Sequence, residues 1–401
     1  MIIEYFLNFL IKKNVLFIKL FQTMSSNKNV SPHMLHIFQK CTNNVAFSDD
    51  DIDFDLLNKI LIDYNIELES NIPINSGMIA LVFKGKFKNS DKSVVIKMAK
   101  LNIYERVENG YNNIVFFYKI LRFILYPFDS YTNTLDTLKN FIDSKDYLLS
   151  QCKFNHEIET MICIKKELSE LTNTTNIKNI EKIVIPEIYN KNNDNAFIVM
   201  EFINGTDIFK ISPVDKVEYA KLLILIIVIQ IFFTSKIHTD PHPGNIICFN
   251  NSKGEKYVAL IDFGMNINVN QDLRDGLIKM LSNVIQVSDV SPDYTKCLSM
   301  FLSPRIDFSN YIELHKPINV IMQTLTQSLI SGNLTETDVF IHLNNIISLH
   351  SDFKILKMEK EIVQLLIGIS CLNSSTNILT DYNKELIRTY YKDILIDVLS
   401  N

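Results

Sequence analysis

HTDPHPGN at 238–245 and ALIDFGMN at 259–266 decide how this chain is read. They carry two acids on loops, Asp240 and Asp262, and an amide, Asn245, at a fixed offset from the first acid. Strand-like residues join them through a hairpin whose turn is expected at Asn250–Gly254. One carboxylate near a nucleophile, with an amide and a second carboxylate to hold magnesium on phosphates, is the equipment of phosphoryl transfer. HTDPH also fits an H-x-D-x-H metal site, with Pro241 and Pro243 keeping the loop extended. No further His or Cys cluster falls nearby, however, and that reading gives Asp262-Phe-Gly no task. His238 and His242 are therefore expected to brace the loop rather than to bind metal.

Composition sets outer bounds. At 401 residues, 47 % hydrophobic and 21 % charged, the chain can form one bilobal enzyme or two to three domains. A net charge of −5 argues against a nucleic-acid partner. The six cysteines are scattered without a C-x-x-C pair, which disfavours a zinc ribbon or disulfide framework and fits a reducing intracellular compartment. Two apolar runs resemble membrane segments. Residues 1–22 are interrupted by Glu4, Lys12, Lys13 and Lys19, and Leu222–Phe233 is about two-thirds of the roughly 20 residues a span needs. Both read as buried or interfacial helices. The N-terminus has Glu4, no arginine and no cleavage pattern, so neither a targeting peptide nor a transmembrane segment is expected.

The order H-x-D-x-x-x-x-N then D-F-G is that of protein-kinase catalytic and metal loops. The rest of the chain fits an α+β, bilobal kinase-like fold. Residues 1–66 read as a helical extension, with helices around Phe6–Leu20 and 32–38 and an acidic, solvated linker at Asp49–Asp55. Residues 67–205 read as the N-lobe and 206–401 as a helix-rich C-lobe. Strands at Ile79–Phe87 and Ser93–Met98 put Val95 and Lys97 on one face and Val94, Ile96 and Met98 on the other. VVIK at 94–97 places Lys97 to reach phosphates and Val95 to touch adenine. NSGMIALV at 75–82 stands where a glycine-rich loop would, with Gly77 and Val82 kept and Asn75 and Ala80 at the other glycine positions. A helix near Phe154–Leu171 offers Glu157, or its rival Glu159, as the partner of Lys97. FIVMEF at 197–202 reads as a strand entering a hinge whose backbone at Glu201 and Phe202 could bond an adenine edge. Val214–Thr234 reads as a buried helix. After Met265 a helix follows almost at once, with no A-P-E and no long activation segment, which shifts the substrate from peptide to small molecule or lipid. Breaks in the helical remainder are expected near Ser303-Pro304, Ser331-Gly332 and Leu372–Asn377.

HTDPHPGN and LIDFGM are closer still to the UbiB-type (aarF-domain) atypical kinases, whose corresponding motifs are HADPHPGN and LIDFGM. The second histidine and both prolines are not features of ordinary kinases, and the resemblance runs from about Val15 to Leu281. It implies a kinase-like pair of lobes with an added N-terminal helical segment. It also implies ATP and Mg2+ as cofactors, and ATP hydrolysis or atypical kinase action in quinone and isoprenoid-lipid metabolism. A lipid or quinone-pathway partner and a peripheral membrane contact follow from the same resemblance. Carried over by position, Lys97 is the phosphate lysine, Glu157 its partner and Asp240 the catalytic acid, with Asn245 and Asp262 holding magnesium.

Three family features have changed. The alanine-rich loop is replaced by Asn75-Ser76-Gly77-Met78. K-x-G-Q becomes KLFQ at 19–22, and the E-x-D pair becomes Gln151-Cys152-Lys153. Were Lys153 to face Lys19, the two would repel by about 4 kcal/mol at 4 Å and an effective dielectric of roughly 20, so the N-terminal segment is expected to dock differently. Two functions remain open on these residues: an active ATPase or kinase, and a nucleotide-binding pseudokinase acting as a switch or scaffold.

Overall fold

The computed structural model describes residues 2–18, 45, 47–125, 142, 145, 149, 151–190, 196–283, 294–334 and 336–401. KLFQ and the helix expected at 32–38 lie outside the described residues. Two compact units form, one from residues 1–158 with 187–202, the other from 159–186 with 203–401.

In the first unit, α1 (Ile2–Lys13) and α2 (Phe54–Asp63) precede an antiparallel sheet of β1 (Ile66–Leu68), β2 (Asn75–Ser76), β3 (Ala80–Phe87) and β4 (Ser93–Ala99). Helix α3 (Ile103–Leu125) follows, then α4 (Asn155–Thr174) and the short β5 (Ile183–Val184), which from residue 159 on belong to the second unit, and finally β6 (Phe197–Glu201), which returns to the sheet. Its order is β1-β3-β4-β6, with β2 paired to β3. Leu81, Phe83, Val94, Ile96 and Met98 share the face that buries against Leu57 and Ile60 of α2. The alternation leaves Val95 and Lys97 on the opposite face. Asp53 caps α2 by accepting the Leu56 N–H at 3.0 Å.

The acidic run at 49–55 is not solvated throughout. Asp51 is buried, takes a 2.6 Å bond from Arg106 on α3 and lies 3.9 Å from the Lys100 ammonium. Burial lowers the pKa of Lys100, and Asp51 pulls it back up. One carboxylate thus ties the end of β4 to the start of α3. A second tie holds the N-terminal segment: Asn14 Nδ2 donates to the Gly110 carbonyl at 2.8 Å, while its Oδ1 accepts the Leu16 N–H at 3.0 Å. A Cβ on Gly110 would overlap that oxygen.

The second unit is built around α5 (Lys216–Phe233), apolar on every face and buried accordingly. It is followed by β7 (Lys236–His238), β8 (Ile246–Asn250), β9 (Lys256–Leu260) and β10 (Asn266–Asn268). β8 and β9 form the expected hairpin, turning through Gly254 at φ +80°. β5 pairs in parallel with β9, which draws residues 159–186 into this unit although a linear boundary at 205 would place them in the first. β7 pairs with β10. Asn270 then caps α6 (Gln271–Ser282), so the chain turns helical directly after the second loop. Helices α7 (Thr295–Phe301), α8 (His315–Ile330), α9 (Glu336–Ile347), α10 (Lys360–Leu379) and α11 (Lys384–Leu399) complete it.

The break expected at Leu372–Asn377 is absent, for α10 runs straight through it. The polar side chains that suggested a loop find partners within the packed helices. Asn373 Nδ2 donates to the Leu329 carbonyl, its Oδ1 accepts from Tyr391, and Thr376 donates back to Leu372. Among the described residues α10 is the one helix long and apolar enough to cross a membrane. Here it packs on α5, with Leu365, Ile369 and Leu372 buried.

Candidate functional site

Lys97 projects from β4 with 9 % of its side chain exposed, and Glu157, in the first turn of α4, is at 3 %. The ammonium donates to both carboxylate oxygens, at 2.8 and 2.9 Å, and stands 5.4 Å from the centre of the Phe154 ring. Charges this deeply buried survive only when paired. The acid that meets Lys97 is Glu157, not Glu159. Val82 lies directly across the strand pair from Lys97, so Val82, Val95 and Lys97 share one face.

The loop at 75–82 is a closed hairpin. The Gly77 N–H donates to the Ala80 carbonyl at 2.9 Å, and the Ile79 carbonyl takes the Lys100 N–H at 2.8 Å. Met78 and Ile79 pack against a cluster that contains Val15, Leu16 and Ile103. A Cβ on Gly77 would come no nearer than 3.8 Å to the Ala80 carbonyl, so the turn itself does not demand glycine there.

At the expected hinge both donors are engaged. The Glu201 N–H goes to the Glu187 carbonyl at 2.8 Å and the Phe202 N–H to the Ser93 carbonyl at 3.2 Å. Neither offers its N–H to an adenine edge in this arrangement: residues 187–189 run alongside the strand and take the first, and Ser93 of β4 takes the second. The altered Gln151-Cys152-Lys153 segment divides inside from outside. Cys152 is buried beside Val15, Leu16 and Val107, and burial pushes its thiol up to about 11. Lys153 is exposed and lies 6.0 Å from the Tyr104 ring centre on α3.

The other acids belong to the second unit. The His238 backbone N–H donates to Gln230 Oε1 at 3.1 Å, from the single amide in the apolar run of α5. Its ring lies 4.7 Å from Phe263 and its Nδ1 3.1 Å from the Met265 carbonyl. With the proton on Nδ1 for that bond, the buried Nε2 is a bare acceptor rather than a stranded donor. Burial lowers the His238 pKa, with His242 adding to the effect and Asp240 and Asp262 pulling against it. The neutral ring thus ties the two motif loops together.

Asn245 Nδ2 donates to the Asp240 carbonyl at 2.9 Å, which fixes the loop and leaves Oδ1 as the atom able to bind a cation. His242 Nδ1 accepts the Gly244 N–H at 3.0 Å, a bracing contact. Asp262 has φ +64°, the left-handed region that side chains avoid, at a cost of roughly 1 kcal/mol or more. Its Oδ1 accepts the Gly264 N–H at 3.3 Å. Among the described residues no three His, Cys, Asp or Glu side chains gather around a possible metal. Two hard oxygen donors suit a cation that brings phosphate and water for its remaining positions, and magnesium does so.

Sequence reasoning missed Asn14, Asp51 and Gln230, as well as the small helix residues Gly110 and Gly368. The available signal was slight: a lone amide in an apolar helix, and isolated glycines in helical pattern.

A family model described as the ABC1 atypical kinase-like domain matches residues 67–298. Among curated relatives, the "Probable serine/threonine-protein kinase abkB" of Dictyostelium discoideum is 26 % identical over 278 residues, 65 % of this chain and 38 % of the relative. An "Uncharacterized protein in hydrogenase 1 5'region" of Clostridium pasteurianum is 25 % identical over 349 residues, 79 % of this chain and 61 % of the relative. The chain thus spans from under two-fifths to about three-fifths of these relatives. Among solved structures, the erythromycin complex of Rv3197 from Mycobacterium tuberculosis is 12 % identical, with a TM-score of 0.43, covering 86 % of this chain and 83 % of that one.

Proposed function

Because the chain belongs to the ABC1 atypical kinase-like family, we propose that it binds ATP with magnesium and transfers the terminal phosphoryl group to a small-molecule or lipid-linked acceptor, or to water. The observation that carries this reading is the buried, two-pronged ion pair of Lys97 with Glu157, at 2.8 and 2.9 Å. Such a pair holds the ammonium ready for the α- and β-phosphates. Asn245 Oδ1 and the Asp262 carboxylate would hold magnesium, which neutralises phosphate charge when bound. Asp240 would accept the proton of the attacking hydroxyl. Val82 and Val95, on the face that carries Lys97, give an apolar surface for the base.

After Phe263 the chain passes through β10 directly into α6, and this shortness favours an acceptor other than a peptide segment. A quinone or isoprenoid-lipid precursor fits the exposed aromatic end of α3, where Phe116, Phe117 and Phe123 are 65, 57 and 85 % exposed beside exposed Lys119 and Arg122. Apolar rings flanked by cations suit a peripheral contact with anionic lipid.

The closed hairpin at 75–82 and the engaged hinge donors favour a second reading, a nucleotide-binding pseudokinase that acts as a switch. Magnesium-dependent ATP turnover of the wild type and of Asp262→Ala separates the two. Turnover lost in the variant supports the enzyme, equal rates in the two proteins would sink it, and nucleotide-induced thermal stabilisation without turnover supports the switch.

A further inference from the structure

Helix α10 lies beyond residue 298, where the match to the family domain ends. It packs on β10 and on the turn at Pro243–Asn245 as well as on α5. Gly368 stands near the middle of the helix. A Cβ there would come within 2.8 Å of Thr239 Cα, 3.0 Å of its carbonyl oxygen and 3.1 Å of its carbonyl carbon. All three are backbone atoms, so no side chain can swing aside to make room. Thr239 is itself buried, linked to the second loop by its N–H bond to the Met265 carbonyl at 3.0 Å, and immediately precedes Asp240. The helix therefore touches the main chain one residue from the proposed acid, at a spacing that hydrogen alone allows.

We infer that Gly368 is a positioning residue: α10 is the floor of the loop 238–245, and the missing side chain at 368 sets where Asp240 stands. The assignment of Asp240 as the acid rests on the function proposed above; the contact between helix and loop does not. It gives a structural task to the C-terminal region, in which the sequence shows no catalytic constellation. It also fits the apolar character of α10, which buries Leu365, Ile369 and Leu372.

The test uses the full chain and two glycine substitutions. Gly276 is the matched control: it lies on α6, and a Cβ there would press on the Phe301 ring at 2.8 Å, a side chain rather than the backbone of the 238–245 loop. Gly368→Ala is expected to lower kcat for magnesium-dependent ATP turnover by about 10- to 100-fold, the scale of a small misplacement of a reacting group, with KM for ATP changed less than threefold. Gly276→Ala should keep kcat within about twofold at a comparable loss of Tm. A readout independent of catalysis comes from native-state hydrogen exchange: amides of 239–245 should exchange at least tenfold faster in Gly368→Ala, and not in Gly276→Ala. Should Gly368→Ala fail to fold, Leu365→Ala loosens α10 by a cavity instead, and amides of α10 and of 239–245 should accelerate together. Loop exchange equal to wild type in Gly368→Ala, or loop amides indifferent to Leu365→Ala, would overturn the inference. A protein that binds no nucleotide yet shows the coupled exchange would fail the proposed function and leave the brace standing.

Discussion

Lys97 and Glu157 show how much of the candidate site rests on one pair. Buried charges of this kind are strongly interdependent: removing one partner typically costs about 3–5 kcal/mol, while replacing both with apolar groups can be nearly neutral. Glu157→Ala should lower the urea stability of the first unit by that amount, and Lys97→Met/Glu157→Leu should recover most of it while remaining without turnover. His238 gives a pH signature. Its folded pKa lies below the ordinary value of about 6.5 because burial disfavours the charged ring. The unfolded chain therefore binds the proton more readily. The contribution is complete above about pH 6.5 and is lost as pH falls from there toward the folded pKa. The Tm of the wild type should drop between pH 7 and 5, and His238→Gln should flatten that dependence. Both motif histidines were legible in the sequence as loop braces, because no further His or Cys cluster falls nearby and a metal site would leave Asp262-Phe-Gly without a task. What they brace against, Gln230 and Phe263, was not, since it depends on tertiary approach.

At the level of elements, strands and their faces could be read from alternation alone. β3 and β4 lie within a residue of their expected limits, with Lys97 on the expected face. The α4 register that selects Glu157 over Glu159 could not be read, because both acids fit one helical pattern and only packing separates them. Two elements misled. Asp51 looked like one more solvated acid, yet Arg106, 55 positions away, draws it inside. The polar run 372–377 looked like a break, yet its hydroxyls and amides bond within the helix bundle. Helix α3 supplies a test. Gly110→Ala would push a methyl group into Asn14, and overpacking of this kind costs about 1–3 kcal/mol. The variant should also become cleavable by protease near residues 14–18 under conditions where the wild type resists. Unchanged stability and unchanged cleavage would mean that the Asn14 tie does not hold the N-terminal segment.

Across the whole molecule, the family match ends at 298, while the buried surface of the second unit does not. α5 is covered by α10 and α11, which come from the last 42 residues of the chain. A chain stopped at 298 would leave most of that apolar helix open to water, and a helix apolar on every face is stable only when enclosed. The truncated protein should lack a cooperative urea transition for the second unit and should bind a hydrophobic dye; a sharp transition of wild-type midpoint would contradict that. Motifs identify chemistry far better than they identify what supports it. Lys97, Asp240, Asn245 and Asp262 announce themselves by spacing, whereas Gly368 supports the same loop from 129 positions beyond Thr239. The most direct test of the central claim is a titration of ATP binding to the full chain, with magnesium and with chelator, for wild type and Asp262→Ala. Wild-type affinity should be at least tenfold tighter with magnesium, and the variant should no longer respond to the metal. Affinity identical in all four conditions, or no binding in any, would contradict it.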